Sequence, residues 1–377
     1  MTESAGAPRP AIDDALRERL DELLTSLCSV ASPSGSEAAV RDHVAGLCAA
    51  AGYDEQRTDS AGNLLARRRE SVASTHPVVL CAHLDTVEHG ATPIEPVLVD
   101  DGWENRNAAI LGADNKAAIA VMLACVERVR PDVSLLFTTG EEQALAGAKA
   151  CDPAWLEHAT VYIYDHATPI GGIVLAAPTY YRLDAEFRGQ AAHAGICPEN
   201  GRSAIRAAAR AVAKMPHGRL DPETTVNAAQ LRGGATAGTN IVAASCSVVC
   251  EVRSRSPGRA EAVVAEIVDA FQDAANDPAD PCDLTTQIEQ LFAGYRHDPQ
   301  SPAIDAARRA LVRCGHRVEL LESGGGSDAN ALLSNGVTAV CLANGTEAPH
   351  EPSERVSRTA LADMAAVTFA LLDELAG

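Results

Sequence analysis

The chain has 377 residues, of which 46% are hydrophobic, so one or two domains with large buried cores are expected. Its 51 acidic residues outnumber 31 basic ones, and the formal net charge of −20 argues against binding to nucleic acids or anionic membranes. No stretch approaches the roughly 20 apolar residues of a membrane-spanning helix. The N-terminal segment lacks an apolar run behind a basic patch, so no secretory signal is expected.

The 11 cysteines show neither zinc-finger nor redox spacing. Several lie within apolar runs, among them Cys81, Cys125, Cys250 and Cys341, and are predicted to be small buried side chains. This use of cysteine is typical of a reducing compartment, and a cytoplasmic location is expected. Cys197 receives no role from the sequence.

Two helices and a strand are predicted first. Apolar residues recur at helical spacing over 12–30, and a second helix extends to about Ala51. After a strand near Asn63–Arg69, the buried strand Val78–Cys81 delivers His83 and Asp85 at its carboxyl end. Side chains two apart on a strand point the same way, so the carboxylate is placed to orient the imidazole.

Asp100–Asn107 is predicted to be a polar turn. A strong helix follows over Ala117–Val129, and Asp114 lies at its polar start. An acid at the beginning of a helix is often only a cap, so Asp114 is ambiguous when taken alone.

The next predicted strand begins at Ser134, breaks at Gly140 and delivers the adjacent acids Glu141 and Glu142 before another helix. A third strand, VYIYDHA, delivers Asp165. This β–α–β–α–β succession predicts an α/β domain with a mostly parallel sheet flanked by helices. Such sheets bind ligands at the carboxyl ends of their strands.

From residue 178 to 292 the pattern becomes β-α-β-β-α-β, the order of a ferredoxin-like unit. It is predicted to be inserted into the first domain, which comprises 1–177 and 293–377. Its strands include TTVNAAQLRGG, NIVAASCSVVCEVRS and Asp283–Phe292. The α/β pattern resumes after Ser301 and ends in a helix over Ser357–Leu375.

Five residues at strand ends or loops of this first domain form a nitrogen and oxygen donor set for two divalent metals such as zinc, cobalt or manganese: His83, Asp114, Glu142, Asp165 and His350. A shared Asp114 would bridge metals about 3.5–4 Å apart, which polarise a carbonyl and acidify a water. Glu141 would then accept that water's proton and pass it to the leaving nitrogen. Each residue alone favours a structural role, but the whole set does not.

The chain resembles the dinuclear zinc peptidase family that includes peptidase T, carboxypeptidase G and the aminoacylases, and most of all its peptidase T-like branch. The resemblance covers nearly the whole chain, and the matching segments are CAHLDTV, LGADNKAAIA, TTGEEQALAGA, YDHA, AAHAGICPENG, GGATAGTNIV, SGGGSDANAL and the His350 loop.

The resemblance implies roles for the candidate ligands. His83 and Asp165 would bind one metal and Glu142 and His350 the other, with Asp114 bridging. Glu141 would be the general base, and Asp85 would orient His83. The family typically has a cis peptide after the bridging aspartate, here Asp114–Asn115. Asn115 itself departs from relatives, which often carry a second Asp there.

The resemblance also implies residues that meet the substrate. His193 matches the histidine of the inserted domain that stabilises the oxyanion and, in dimeric relatives, comes from the partner subunit. Asn240 and Arg253 match positions that hold a substrate's backbone or carboxylate, although Arg253 is equally well explained as a solvated arginine at a strand end. Gly325 and Ser327 belong to a GGGSD loop that would line the cleft.

The expected function is cleavage of short peptides from the N-terminus by a metal-activated water, as in tripeptide aminopeptidases. An N-acyl amino acid deacylase or a carboxypeptidase of the same family is the alternative. A binding protein without activity is disfavoured because no ligand or base is missing. Two zinc ions and a short peptide or N-acyl amino acid substrate complete the expectation. The sequence leaves open whether the chain forms a homodimer through the inserted domain.

Overall fold

The structure, a computed structural model, describes residues 8–69, 77–129, 132–234 and 238–376. Contacts divide the chain into two units: one runs up to Leu175 and resumes at His297, and the other is Ala176–Arg296. We call them the discontinuous unit and the inserted unit. Sequence analysis predicted that the inserted unit comprises residues 178–292. A lid or dimerisation role for this unit stays a prediction. Part of the GGATAGTNIV segment, 235–237, lies outside the described residues.

The α-helices of the described residues are α1 (Asp14–Cys28), α2 (Ala38–Ala50), α3 (Ala113–Val129), α4 (Ala146–Ala150), α5 (Ala204–Lys214), α6 (Pro257–Ala275), α7 (Pro302–Arg313), α8 (Asp328–Ser334) and α9 (Arg358–Ala376). Short 3₁₀ turns occur at Pro153–Leu156 and Pro198–Asn200.

The strands are β1 (Glu55–Thr58), β2 (Leu64–Arg67), β3 (Val78–His83), β4 (Pro96–Val99), β5 (Gly102–Asn105), β6 (Val133–Thr138), β7 (Thr160–His166), β8 (Gly172–Ala177), β9 (Thr179–Arg188), β10 (Gly218–Asp221), β11 (Thr224–Gly233), β12 (Ser245–Ser254), β13 (Asp283–Phe292), β14 (Tyr295–Arg296), β15 (Glu319–Glu322), β16 (Thr338–Ala343), β17 (Thr346–Glu347) and β18 (Arg355–Ser357).

The central sheet of the discontinuous unit has the strand order β1-β2-β6-β3-β7-β16-β8. Its middle is parallel: β3 pairs in parallel with β6 and β7, and β7 with β16. All six residues of β3 are buried, as expected for a strand covered on both faces. Helix α3 is buried along nearly its whole length, because it packs on this sheet and against α1 and α9. The predicted α/β class with a mostly parallel sheet is confirmed.

The prediction of a polar turn over Asp100–Asn107 is wrong. Residues 102–105 form β5, which pairs with β4 on one side and β18 on the other. Most of β5 is only partly buried, so its residues do not alternate between apolar and polar types. Within this strand, Trp103 alone packs against the core. The sequence also gave no prediction for β8, which pairs antiparallel at the edge of the otherwise parallel centre.

The inserted unit is an antiparallel sheet in the order β10-β11-β12-β9-β13, with α5 and α6 packed on it over a separate hydrophobic core. The ferredoxin-like order is confirmed, with β10 as an additional edge strand. The strand predicted to begin at Asn240 begins only at Ser245. Residues 240–244 precede it as a loop that makes a single bridge, between His193 and Ile241.

All 11 cysteines are free thiols, and nine of them are buried. Burial of Cys81, Cys125, Cys250 and Cys341 is confirmed. Among the described residues, no helix combines the length and the apolar character needed to cross a bilayer.

Candidate metal centre

The candidate ligands lie at the carboxyl edge of the parallel strands of the discontinuous unit. His83 is the last residue of β3 and lies opposite Thr138, the last residue of β6. Glu141 and Glu142 follow β6 after a turn at Thr139 and Gly140, and Asp165 is the next-to-last residue of β7. Because these strands are parallel neighbours, residues far apart in the chain come together at one edge.

Asp114 lies between the two histidines at the beginning of α3, and its peptide bond to Asn115 is cis, as the resemblance implied. Its two carboxylate oxygens face different imidazoles. Oδ1 is 3.6 Å from Nε2 of His83, and Oδ2 is 3.7 Å from Nε2 of His350. This is the arrangement expected of a carboxylate shared by two cations.

The remaining candidate ligands complete two groups around Asp114. Oδ1 of Asp165 lies 3.3 Å from Nε2 of His83, and Oε1 of Glu142 lies 2.7 Å from Nε2 of His350. In each group, His83–Asp114–Asp165 and Asp114–Glu142–His350, one ligand atom per residue lies within 4.8 Å of the others. One imidazole and two carboxylates per group are donors suited to zinc, cobalt or manganese, so the residues fit two divalent metals.

The two adjacent glutamates differ in their contacts. The Glu142 carboxylate contacts His350, whereas no described residue makes a hydrogen bond or ion pair with the Glu141 carboxylate. Glu141 nevertheless lies close to His83 and Glu142. Burial, followed by the negative charge of Asp165, raises the pKa of Glu141 well above its usual range. The surroundings of Glu141 therefore favour its protonated form.

The charges of the site are strongly coupled. Burial opposes the charged form of His83, but Asp165, Asp114 and Asp85 outweigh it and raise the pKa of His83 well above its usual value. Burial raises the pKa of Asp165 to about 7, with contributions from Asp114 and Asp328 and against the influence of His83. Buried carboxylates that repel one another in this way are stabilised by a bound cation.

Asp85 holds both sides of the centre. Its backbone oxygen lies 2.9 Å from Nδ1 of His83, and its Oδ1 lies 3.5 Å from the same atom. Its carboxylate also accepts hydrogen bonds from the backbone N–H groups of Glu141 (3.0 Å) and Glu142 (3.1 Å) and from the Ser34 hydroxyl (2.6 Å). Burial alone would raise the pKa of Asp85, but these donors and His83 lower it.

Sequence reasoning missed two buried carboxylates that bind backbone N–H groups beside the site. Oε1 of Glu37 accepts from the backbone N–H of Gly140 at 3.1 Å, directly before the glutamate pair. Glu354 accepts from the backbone N–H groups of Gly112 and Asp114. With Asp85, we call Glu37 and Glu354 the backbone-binding carboxylates. An acid before a helix or in a polar loop is common, so only their burial could have singled them out.

The GGGSD loop lies in the discontinuous unit. Ser327 is buried and caps α8 in a capping box with Asn330, and the N–H of Gly325 donates to Oγ of Ser323. Asp328, which sequence reasoning did not single out, is fully buried and accepts a hydrogen bond from the Thr138 hydroxyl at the end of β6. The loop is thereby held against the strand that leads to the glutamate pair.

The remaining candidates belong to the inserted unit. His193 and Asn240 are both exposed and lie on adjacent segments, since the N–H of Ala194 donates to the Asn240 carbonyl at 2.9 Å. The guanidinium of Arg253 lies over the Tyr180 ring at 4.1 Å and forms an ion pair with Glu251 at 3.4 Å. These contacts hold Arg253 within its own unit, and its substrate-binding role stays a proposal.

Comparison with known proteins relates the chain to peptidases. One family model, described as peptidase family M28, matches residues 63–167, and another, the M20 peptidase dimerisation domain, matches residues 180–278. The uncharacterised protein YqjE of Bacillus subtilis is 34% identical over 322 residues, which cover 84% of this chain and 85% of that protein.

Two solved structures match over nearly their whole length. Aminopeptidase PepT from Bacillus cereus is 32% identical with a TM-score of 0.84, and the match covers 96% of this chain and 99% of that one. A tripeptidase from Staphylococcus aureus is 28% identical with a TM-score of 0.86, over 94% and 97% of the two chains. The M28 match ends at residue 167, whereas these matches also include the inserted unit. The chain therefore belongs to the M20 family of metallopeptidases, among its peptidase T-like members.

Proposed function

We propose that this peptidase is an aminopeptidase that releases the N-terminal residue of short peptides, tripeptides among them. The observation that carries the proposal is the shared carboxylate of Asp114 between two histidines, with the unengaged carboxylate of Glu141 beside it. The similarity to an aminopeptidase and to a tripeptidase over nearly the whole chain supports the substrate class.

We assign His83 and Asp165 to one metal, Glu142 and His350 to the other, and Asp114 to both. Zinc suits this donor set, and cobalt or manganese suits it as well. When bound, two such ions polarise the scissile carbonyl and lower the pKa of a nearby water.

The chain's own groups would move the proton and hold the substrate. Glu141 accepts the proton of the attacking water and returns it to the leaving nitrogen. Asp85 fixes the ring of His83 and the backbone of the glutamate pair. In the inserted unit, His193 would donate a hydrogen bond to the oxyanion.

We further propose that four residues contact the rest of the substrate. Asn240 and Arg253 of the inserted unit would hold its backbone or carboxylate, and Gly325 and Ser327 would line the cleft. The exposure of Asn240 beside the His193 segment supports this assignment for Asn240.

The test is hydrolysis of di-, tri- and N-acetylated peptides by the metal-loaded protein, with Glu141→Gln and Glu142→Gln alongside. The wild type should release N-terminal residues. Glu141→Gln should retain both metals and lose turnover, whereas its neighbour Glu142→Gln should lose one metal, which elemental analysis measures. The pair of variants thus separates the base from the ligand.

Three outcomes would contradict the proposal. Activity confined to acetylated substrates would make the protein a deacylase, and release of C-terminal residues would make it a carboxypeptidase. A metal-loaded protein inert on every substrate would be a binding protein on the same scaffold.

We also propose a homodimer, because residues 180–278 match a peptidase dimerisation domain. Analytical ultracentrifugation tests it: a single species at the mass of one chain at micromolar concentration would exclude it. The cytoplasmic location and the absence of nucleic-acid and membrane partners stay predictions.

A further inference from the structure

The buried carboxylate of Glu354 has no role in the chemistry described so far. It lies four residues after His350, and only 2% of it is exposed. Its Oε2 accepts a hydrogen bond from the backbone N–H of Gly112 at 2.8 Å, and its Oε1 accepts one from that of Asp114 at 2.9 Å. Both oxygens are thus engaged with the segment that presents the shared carboxylate.

Burying this charge is costly, because no described cation lies within ion-pair distance of it. Burial raises the pKa of Glu354, although the N–H groups of Asp114 and Gly112 oppose the rise. The buried Lys116 on α3 contributes a positive charge nearby, while its Nζ donates to the Val30 carbonyl at 2.7 Å. A well-packed apolar residue would avoid this cost, so the carboxylate requires an explanation.

The loop that carries His350 needs support. Ala348 and His350 have left-handed backbone angles (φ 48° and 66°), which non-glycine residues adopt only at a cost. The imidazole is half-exposed, and its close contact is the Glu142 carboxylate. The loop regains regular structure only at β18, directly after Glu354. The position of His350 therefore depends on how this short segment is anchored.

We propose that Glu354 is a positioning residue that fixes the spacing between His350 and Asp114, and so controls the metal position that these two share with Glu142. The inference rests on the proposed metal assignment. His83 and Asp165 stand on neighbouring central strands and do not depend on this loop. Loss of Glu354 would disturb two of the three proposed ligands of the metal position at His350, namely His350 and Asp114. At the other position it would disturb Asp114 alone. The affinity for zinc should therefore fall more at the His350 position than at the other.

The experiment titrates Zn²⁺ into metal-free protein in competition with a chelator of known affinity. Glu354→Gln keeps the size of the side chain but replaces one acceptor oxygen by an NH₂ group, which cannot accept from the backbone N–H that it faces. It should weaken one zinc position by about 10–100-fold and leave the other near the wild-type affinity. Glu351→Gln, an exposed acid of the same loop, is the matched control and should bind both ions as the wild type does.

Two further variants make the outcome decisive. His350→Ala identifies the weakened position: if it loses no zinc, the proposed metal centre itself is wrong. If His350→Ala loses one ion while Glu354→Gln binds both as the wild type does, or binds both equally weakly, the role of Glu354 is overturned. Glu354→Asp, which keeps the charge and shortens the reach, should show the same selective loss and serves if Glu354→Gln does not fold.

Discussion

Glu37 should be needed for the placement of the glutamate pair, although it touches neither substrate nor metal. Its Oε1 accepts hydrogen bonds from the N–H groups of Gly35 (2.9 Å) and Gly140 (3.1 Å). Gly35 is exposed, so its N–H can donate to water instead, whereas Gly140 is buried. In Glu37→Ala the Gly140 N–H therefore loses its partner and finds no replacement.

An unpaired buried donor costs about 1–3 kcal/mol, and hydrogen bonds to a charged acceptor lie at the upper end. The lost burial of the side-chain methylenes adds to this, so Glu37→Ala should lower the free energy of unfolding by about 2–4 kcal/mol. Glu37→Gln keeps an acceptor oxygen and should lose about half as much, because charge-assisted bonds are roughly twice as strong as neutral ones. Displacement of the chain at Gly140 should also lower kcat by up to about 100-fold.

Urea unfolding, kcat, KM and metal content test this for both variants, with the exposed Glu22→Ala on α1 as a control expected to change stability by less than about 0.5 kcal/mol. Glu37→Ala should lose the most stability and the most kcat, Glu37→Gln should lose less, and the control variant should lose the least. A loss of stability with kcat and KM unchanged would refute the reasoning, because Glu37 would then support the fold and not the glutamate pair.

Three other predictions concern residues of the discontinuous unit and the inserted unit. Gly147→Ala should lower the free energy of unfolding in urea by about 1–3 kcal/mol, because a Cβ there would meet the Thr139 carbonyl oxygen. Gly46→Ala, on the exposed side of α2, should instead raise it by up to about 1 kcal/mol, and equal effects of the two changes would contradict this packing. His193→Ala should leave stability nearly unchanged, since the side chain is exposed, and lower kcat by about 10²–10³-fold; unaltered turnover would exclude the oxyanion role. Chelation should lower the midpoint of thermal unfolding, and zinc at about 100 times its Kd should restore about 2.7 kcal/mol of the free energy of unfolding. The same midpoint with and without chelator would mean that the centre binds no metal.

Four of the five candidate ligands were recognisable in the sequence because each follows a predicted strand or begins a helix, whereas His350 lies in a loop. His83, Glu142 and Asp165 stand where apolar runs end, and the geometry of a parallel sheet brings such ends together without any knowledge of side-chain contacts. The roles of Glu141 as base and Glu142 as ligand stay a prediction; the structure shows only that the Glu142 carboxylate contacts His350.

Two of the backbone-binding carboxylates, Glu37 and Glu354, were not predictable for a physical reason. Glu37 and Glu354 recognise backbone N–H groups, which every residue carries, so no complementary residue type marks their targets. Their partners lie 103 and 240 residues away in the chain. The β5 hairpin was missed for a related reason, since its partly exposed strands lack the apolar alternation by which a strand is recognised.

The charge of the site explains why backbone amides hold it. Four carboxylates belong to the proposed ligands and base, Asp114, Glu141, Glu142 and Asp165, and they already match the charge of two divalent ions. Asp85, Glu37 and Glu354 are three of the further buried carboxylates near the site, and no metal charge remains to balance them. Their oxygens instead accept five backbone N–H groups at the edge of the site, which favour the charged form without adding a cation that would compete for the ligands. Because these bonds do not involve metal, the segments that present the ligands should remain in place when metal is removed. Chelation should therefore lower the stability of the protein while leaving it folded.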